Sequence, residues 1–589
     1  MANVSAKWCV GIFIILLNSM VAQKLIAQTI DTPSEVDLQP LRDLIPTQPP
    51  PSLPSPPETS SPEDLLPSPE QPSPETAPDT GQTIILTEFQ FVGNTVFTDE
   101  ELTEAVTTGL TNKPLQVSQL LQVASFVAEV YAEKGYSTSG AVISIPKATQ
   151  LQGKGIVVVE VIEGELEEIQ VGPMNEGERL DLNPEYVRSR IAVAVGKPLN
   201  INRLQEALQL LQLDPLIEQI SAQLSNGVRP GTSILTVKFA TRDTFSLQGL
   251  SDNNRTPSVG GFRRGGAISE ANLLGWGDTL RAEYRNSDGS NDVEVSYTLP
   301  INPYNGSVRF RYRTTNSTIV KPPFDEFDID SHYENYDLTI RQPVFQTPQQ
   351  EVVLGLSLER QESNNFLRGI AFPLSPGANI KGQTRITTLR LFQEWLQRNS
   401  QEVIAVRSSF NMGLDFLGIT SPFDADINPD APKNRYFTWR GQAQWARVLD
   451  RDTLFLIRSD IQISSDPLIP LEQFVLGGAG TVRGYAQNYR LKDNGIIVNA
   501  EIRLPVLRIE EYDTLVQLIP FVDYGSGWNL KRPTVHPATL ASVGLGVLWQ
   551  QGDIFSARLD WGIPLTPNNR IDNTWQEHGL HFSLIFNPF

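Results

Sequence analysis

Two short stretches hold the residues best placed to act on one another. Leu471 to Tyr485 reads L-E-Q-F-V-L-G-G-A-G-T-V-R-G-Y, with glycines at Gly477, Gly478, Gly480 and Gly484 and one arginine, Arg483, among small and apolar neighbours. Downstream, Phe521-Val-Asp-Tyr-Gly525 lies in an alternating run. Period-two parity puts Val516, Leu518, Val522 and Tyr524 on one face of a strand and Gln517, Phe521 and Asp523 on the other. Asp523 is then a lone acid on an inner face, and Arg483 is a partner for it. The chemistry on offer is positional: a charge pair that locks a loop whose glycines permit a tight path.

Bond-breaking chemistry has no comparable signature. No P-loop, Gly-x-Ser-x-Gly or paired-carboxylate site stands out, and His332, His536, His578 and His581 show no ligand spacing. Asp424-Ala-Asp-Ile-Asn-Pro-Asp430 has oxygens at alternate positions, but Pro429 stands where a calcium loop needs glycine and no glutamate closes it, so a solvated loop is expected. No catalytic residue, metal or cofactor is expected, and the chain does not read as an enzyme. A net charge of −20 and a pI of about 4.8 argue against nucleic acid as a partner.

The elements that must position Arg483 and Asp523 begin near Thr244, where the texture changes to about sixteen alternating strands. Asn305-Gly-Ser-Val-Arg-Phe-Arg-Tyr-Arg313 places Val308, Phe310 and Tyr312 on one side and Arg309, Arg311 and Arg313 on the other. A soluble sandwich rarely lines its core with three arginines, whereas a barrel in lipid is apolar outside and polar inside. The same parity turns Arg281, Arg285, Arg341, Arg390, Arg407, Arg440, Arg458, Arg503 and Arg558 inward. Fewer acids join them: Glu283, Glu294, Asp337, Glu394, Asp460, Glu501, Asp523 and Asp560. A net basic channel of mild anion preference, with affinity for a weakly acidic unfolded client, is one expectation; pairing of these charges across strands is the other. Connections after the fifth, seventh, ninth and eleventh strands read as about 18 to 30 residues and those after even strands as mostly shorter than about ten, as for extracellular loops and periplasmic turns. Arg483 then lies in the loop after strand eleven, residues 464–492, which must fold inward to reach Asp523.

The N-terminal part has a different composition. Residues 1–27, with Lys7, an apolar run from Val10 to Leu17, and Ala22 and Ala27, read as a secretory leader, a short membrane anchor being the alternative. The only cysteine, Cys9, falls inside it, which excludes disulfides and thiolate sites from the mature chain. No later run is long and apolar enough for a membrane helix. Residues 28–81 are rich in proline and carry about ten acids against the single base Arg42, an extended acidic linker in which residues 35–45 could form a short amphipathic helix able to plug the pore. Two units follow, 82–164 and 165–241, each of order β-α-α-β-β. The first opens its helix with the capping box Thr98-Asp-Glu-Glu101. The remainder, 242–589, is the barrel.

Phe89-Gln-Phe-Val-Gly-Asn-Thr-Val-Phe97, the helices after it and Tyr131-Ala-Glu-Lys-Gly-Tyr136 resemble a POTRA domain, a polypeptide-binding module of outer-membrane translocators; the second unit resembles it more loosely. Two such units before a sixteen-strand barrel resemble the transporters of two-partner secretion, the TpsB family of ShlB/FhaC/HecB-type hemolysin secretion and activation proteins within the BamA-like superfamily. Phe474-x-x-Gly-Gly-x-x-x-x-Arg483-Gly-Tyr485 resembles that family's inward loop tip, and Phe521-Val-Asp523-Tyr-Gly525 its lumen-facing partner strand. Ala271-Asn-Leu-Leu-Gly275 before Gly277-Asp278 is similar to an early turn of the superfamily. Phe582, Phe586 and Phe589 resemble the terminal signal by which outer-membrane barrels are recognised for insertion.

The resemblance implies α+β POTRA domains in the periplasm and an all-β, 16-stranded antiparallel barrel in the outer membrane of a Gram-negative-type bacterium. It implies a monomer that exports an unfolded client bearing an N-terminal secretion domain, by type V secretion without ATP. Its other implied partners are outer-membrane lipid and the machinery that inserts barrels. The alternative is an outer-membrane assembly and insertion factor of the BamA/TamA type, which carries more such modules.

Overall fold

The computed structural model describes residues 83–588 except 107–112, 153, 176, 178, 424–429 and 569–573. The expected leader, the acidic segment in which a 35–45 helix is expected, most of the Asp424–Asp430 stretch and Phe589 lie outside the described residues.

In the first unit β1 (Thr83–Val92) pairs antiparallel with β2 (Pro114–Gln116) and parallel with β4 (Lys154–Ile162), which also pairs with β3 (Gly140–Ser144). Ile84 and Leu86 are buried, and so are Phe89 and Phe91, although strict alternation would send the two pairs to opposite faces. A register shift between Leu86 and Glu88 resolves this, since one extra residue returns the parity to the core. Helices α1 (Asp99–Val106) and α2 (Val117–Glu133) cover that face through Leu102, Leu120, Val123, Val127 and Tyr131. Thr98 and Glu101 exchange the reciprocal capping bonds, the Thr98 amide donating to Glu101 at 2.9 Å and the Glu101 amide to the Thr98 hydroxyl at 3.2 Å. The short β2 and a one-turn helix α3 (Lys147–Gln152) add to the expected order.

Glu163, just past β4, accepts the Thr95 amide at 2.6 Å, the Val96 amide at 2.9 Å, the Tyr131 hydroxyl at 2.8 Å and the Thr95 hydroxyl. Burial pushes its carboxyl up, but these donors outweigh burial and hold it below its ordinary value. Burial and that carboxylate together push the Tyr131 hydroxyl up.

The second unit is β5 (Glu165–Pro173), α4 (Pro184–Val195), α5 (Ile201–Gln212), β6 (Ile217–Asn226) and β7 (Thr232–Thr241), with sheet order β5-β7-β6. Asn183 and Asn200 cap its helices. The units meet through backbone bonds, Ile201 N–H to the Gly135 carbonyl at 2.8 Å and Leu199 N–H to the Gly164 carbonyl at 2.7 Å.

The barrel begins with β8 (Phe245–Asp252), β9 (Arg263–Glu270), β10 (Thr279–Ser287), β11 (Ser290–Pro300) and β12 (Ser307–Thr318). It continues through β13 (Ile329–Gln346), β14 (Gln350–Leu367) with a short β15 (Ile370–Ala371), β16 (Gln383–Arg398), β17 (Glu402–Leu414), β18 (Phe437–Asp450) and β19 (Thr453–Ser464). After the inward loop, with its ribbon β20 (Phe474–Leu476) and β21 (Arg490–Lys492), come β22 (Asn494–Ile509), β23 (Thr514–Trp528), β24 (Thr539–Gln551), β25 (Phe555–Pro564) and β26 (Leu580–Phe586). Sixteen of these close an antiparallel barrel, the two-residue β15 only extending β14. The closure is short, from Ser583↔Asp252 to Phe586↔Gly249, whereas β13 and β14 pair from Ile329↔Leu367 to Gln346↔Glu351.

Outward positions such as Phe310, Leu338, Ile340, Leu356, Leu391, Val522, Val547 and Trp561 are exposed, an apolar band that fits lipid. Two connections are shorter than the sequence suggests: 319–328 after β12 and 368–382 after β14. Above Tyr312 and Tyr336 the outward side chains turn polar, yet the ladder continues, with the Tyr312 hydroxyl on Glu334 at 3.0 Å and the Thr318 hydroxyl on Asp330 at 2.7 Å. Alternating hydropathy marks only the lipid-facing part of a strand, so the segment beyond it reads as loop.

Short turns and POTRA domains share one end. The turn 271–278 is built by Gly275 and Gly277 at positive φ; the Gly275 carbonyl accepts the Asn183 amide at 2.8 Å, and a Cβ on Gly277 would meet the Tyr186 ring at 2.6 Å. In the next turn Asn305 accepts from Arg190 at 2.8 Å.

Candidate functional site

Residues 465–493 fold back into the barrel and span it. At one side Glu472 accepts from Gln361 of β14 at 2.9 Å and Arg390 of β16 at 2.8 Å. At the other, Gly484 lies on Gly562 of β25. Between them Phe474, Leu476, Val482, Tyr485 and Tyr489 form a small apolar core with Ile497 and Leu540 of the wall.

The tip is held at Arg483. Its Nε and Nη2 donate to the two oxygens of Asp523 at 2.7 and 2.8 Å, and its own amide donates to the same carboxylate at 3.0 Å. Nη1 donates to Glu501 at 2.9 Å and lies 3.7 Å from Asp560. The guanidinium sits 3.5 Å from the centroid of the Phe521 ring. Arg483 and Asp523 are both buried, so this bidentate pair is shielded. Glu501 is shared with Arg503 at 3.1 Å and Arg558 at 2.9 Å, which also binds Asp560, so three arginines and three acids neutralise one another around the tip.

Backbone shape brings the tip this close. Gly477, Gly478 and Gly484 take φ of 96°, 115° and 95°, in the left-handed region that costs other residues strain. A Cβ on Gly484 would lie 3.0 Å from the Gly562 carbonyl carbon, one on Gly562 would lie 2.5 Å from the Gly484 nitrogen, and one on Gly579 would lie 2.0 Å from the Gly562 oxygen. Three glycines from loop, β25 and the approach to β26 thus stack without side chains between them. Gly525 likewise makes room for Val482 and Leu476. The buried Tyr485 hydroxyl donates toward the carbonyls of Ala541 and Thr566 and accepts the Thr566 amide at 3.1 Å.

Of the inward arginines, Arg309 lies 3.5 Å from Asp337, Arg311 3.8 Å from Glu359, Arg313 2.7 Å from Asp292 and Arg407 2.9 Å from Glu394, while Arg440 pairs with Asp460 at 2.5 Å and Arg503 with Glu501. Pairing across strands therefore accounts for five of these six, and Arg503 pairs along its own strand with Glu501. Asp292 and Glu359 occupy inward positions that parity alone would have found, whereas Glu472 and Asp493 lie in irregular loop and carry no periodic signal. Asp493 holds the loop base, accepting from Leu468 N–H at 3.0 Å, Leu530 N–H at 2.8 Å and Arg532 at 2.7 Å. Gly562 and Gly579 were legible only as glycines in or beside strands, a mark of close backbone approach. Near the C-terminus Phe586 points outward and is exposed, while Phe582 meets Phe262 at a tilt and Trp575 edge to face.

A closed barrel of sixteen strands carrying POTRA domains at its short-turn end, with a loop pinned inside it, defines a membrane-type β-barrel protein with appended POTRA domains. The family described as haemolysin secretion/activation protein ShlB/FhaC/HecB matches residues 231–548, and the ShlB-type POTRA domain matches residues 84–164. The chain belongs to that family of TpsB-type outer-membrane transporters. Its relatives include the outer membrane transporter CdiB of Dickeya dadantii (strain 3937), 24% identical over 481 residues that cover 79% of this chain and 80% of that one. The heme/hemopexin transporter protein HuxB of Haemophilus influenzae (strain 86-028NP) is 22% identical over 501 residues, covering 80% and 81%. Among solved structures CdiB from Escherichia coli matches with a TM-score of 0.65 at 21% identity, covering 88% of this chain and 92% of that one, a likeness of fold.

Proposed function

We propose that the chain exports a secreted partner protein across the outer membrane: the POTRA domains, in the periplasm, take up the unfolded client, and the barrel conducts it to the cell surface. The observation that carries this reading is a loop that spans the lumen from β14 and β16 to β25 and is held at its tip by side-chain contacts of Arg483, outside the hydrogen-bonded ladder of the wall. The client binds by adding a strand to a sheet edge, a mode in which backbone hydrogen bonds give affinity and varied sequences are tolerated. In the two POTRA sheets the strand after the second helix, β3 or β6, is an edge. Folding of the client outside biases the direction, so the step needs no ATP. The 35–45 segment of the linker serves as a removable plug, the protein works as a monomer, and Phe582, Phe586 and Phe589 address it to the barrel-insertion machinery.

A photo-crosslinking residue at Gln223, exposed on β6, is expected to capture client during export, and one at Glu160, exposed on the inner strand β4, is not; equal capture at both would refute edge binding. Deleting residues 31–80 is expected to raise conductance in a planar bilayer, and unchanged conductance removes the plug. The short β8–β26 seam favours a second reading, sideways release of a client into the membrane as by an assembly factor. A disulfide between Leu250→Cys and Ile585→Cys, which face each other across the seam, separates the two. Export that survives the closed seam supports the pore, and export that stops supports sideways release.

A further inference from the structure

A cavity of about 330 Å³ lies between the inward loop and the barrel wall. Its lining is unequal in charge. Arg263, Arg285, Arg311, Arg313, Arg390 and Arg440 reach it, with Arg255 and Arg458, against only Asp460 and Glu472. The other acids that pair with these arginines lie deeper. The Glu359 side chain is 1% exposed behind Arg390 at 18% and Arg311 at 21%; Asp252 is likewise less exposed than Arg263, and Asp292 less than Arg313. Carboxylates thus sit against the wall with guanidinium groups in front. Because a guanidinium has five N–H donors, one facing acid leaves others for a ligand.

Arg458 stands apart from its neighbours. Among the described residues its side chain makes no hydrogen bond or ion pair, and its Nε is buried without a partner. The acid whose charge reaches it, Glu501, is already shared by Arg483, Arg503 and Arg558. Arg458 also borders a second cavity of about 220 Å³ that touches Arg483, so one guanidinium faces both the chamber and the loop tip.

We infer that this chamber is a carboxylate-binding site with Arg458 as its uncommitted cation, and that its ligand is the acidic side chains of an extended polypeptide in transit. The inference rests on the transport reading and adds the client's chemistry to it. Arginines already half-engaged by acids hold a passing carboxylate weakly and hand it on, as conduction requires. The chamber also suits free oxyanions, since an arginine fork accepts phosphate as readily as carboxylate.

The experiment uses the full chain in planar bilayers, with a short polyglutamate peptide and inorganic phosphate as probes. Chloride is expected to permeate more readily than potassium and the peptide to block the current. Arg458→Gln should raise the peptide concentration for half-block by about tenfold, the effect of one charge-assisted hydrogen bond, while Arg458→Lys retains most of the block. Cation preference, or block unchanged in Arg458→Gln, overturns the site. Phosphate blocking as well as the peptide at equal concentration overturns the polypeptide as its ligand and leaves a site for free anions. Heat-modifiable gel mobility reports whether each variant's barrel is folded. If Arg458→Gln does not fold, Asp460→Asn takes its place: removing an acid that lines the chamber should tighten peptide block, and no change overturns the site. If wild-type chain is not blocked yet cells export client, the chamber fails and the transport reading stands. If block is seen but no client is exported, the transport reading fails and an anion site remains.

Discussion

Arg483 meets three acids, but only Asp523 takes it in a two-pronged grip and also accepts its backbone amide. Taking away one partner of a buried, hydrogen-bonded ion pair costs about 3–5 kcal/mol, because the other charge is left without compensation. Arg483→Ala should therefore lower the urea midpoint of barrel unfolding, read by gel mobility, and reduce export; wild-type values for both would dismiss the lock. At Gly484 the cause is different. Gly484→Ala puts a methyl group against Gly562 and forces a non-glycine residue to a φ of 95°, with a strain of about 1–3 kcal/mol. The tip should then become accessible to protease with the arginine pair still present in sequence. Glu163 offers a pH test. Its folded carboxyl titrates below the unfolded one, so the stability it contributes is full above the ordinary carboxylate range and is lost as pH falls through the folded value. Protection of the Thr95 and Val96 amides from hydrogen exchange, taken relative to the intrinsic rate at each pH, should fall over that acid window, and in Glu163→Gln it should be low already at neutral pH; protection independent of both would leave the carboxylate without a role.

At the scale of elements, the sequence was most informative where one period ran unbroken. Alternation in Val308 to Arg313 is enough to assign an outside and an inside, and it placed Asp523 inward before any contact was known. Three kinds of feature escaped it. A bulge at Leu86–Glu88 changes parity within β1, so two core pairs read as opposite faces. Strands such as β13 continue past the lipid, where both faces are polar and the pattern stops. The anchors Glu472 and Asp493 sit in loop backbone, where no period exists to find them. Arg483 and Asp523 were findable for a simpler reason: each is the one charge in an otherwise small or apolar setting. Which acid among the many inward ones an arginine would choose depended on register across three strands, β22, β23 and β25, and register is not written in any one of them.

The whole molecule has two ends of different character. POTRA domains attach beside the turns 271–278 and 301–306, and the longer connections 368–382, 415–436 and 465–493 leave from the opposite end. If the POTRA domains are periplasmic, a membrane-impermeant maleimide added to intact cells should label Lys381→Cys and spare Glu511→Cys, both exposed positions, in a chain whose own Cys9 has been replaced by serine; the reverse labelling would invert the topology. The glycine stack of Gly484, Gly562 and Gly579 bears on how such a molecule can change over generations. Charges along the lumen offer gradual steps, since an arginine can become a lysine or a glutamine and leave a weaker version of the same contact. A seat made of backbone against backbone has no weaker version, because the smallest side chain already fills the gap. Descendants of this chain are free to retune what the pore prefers to pass, while the resting place of the loop is inherited whole or not at all.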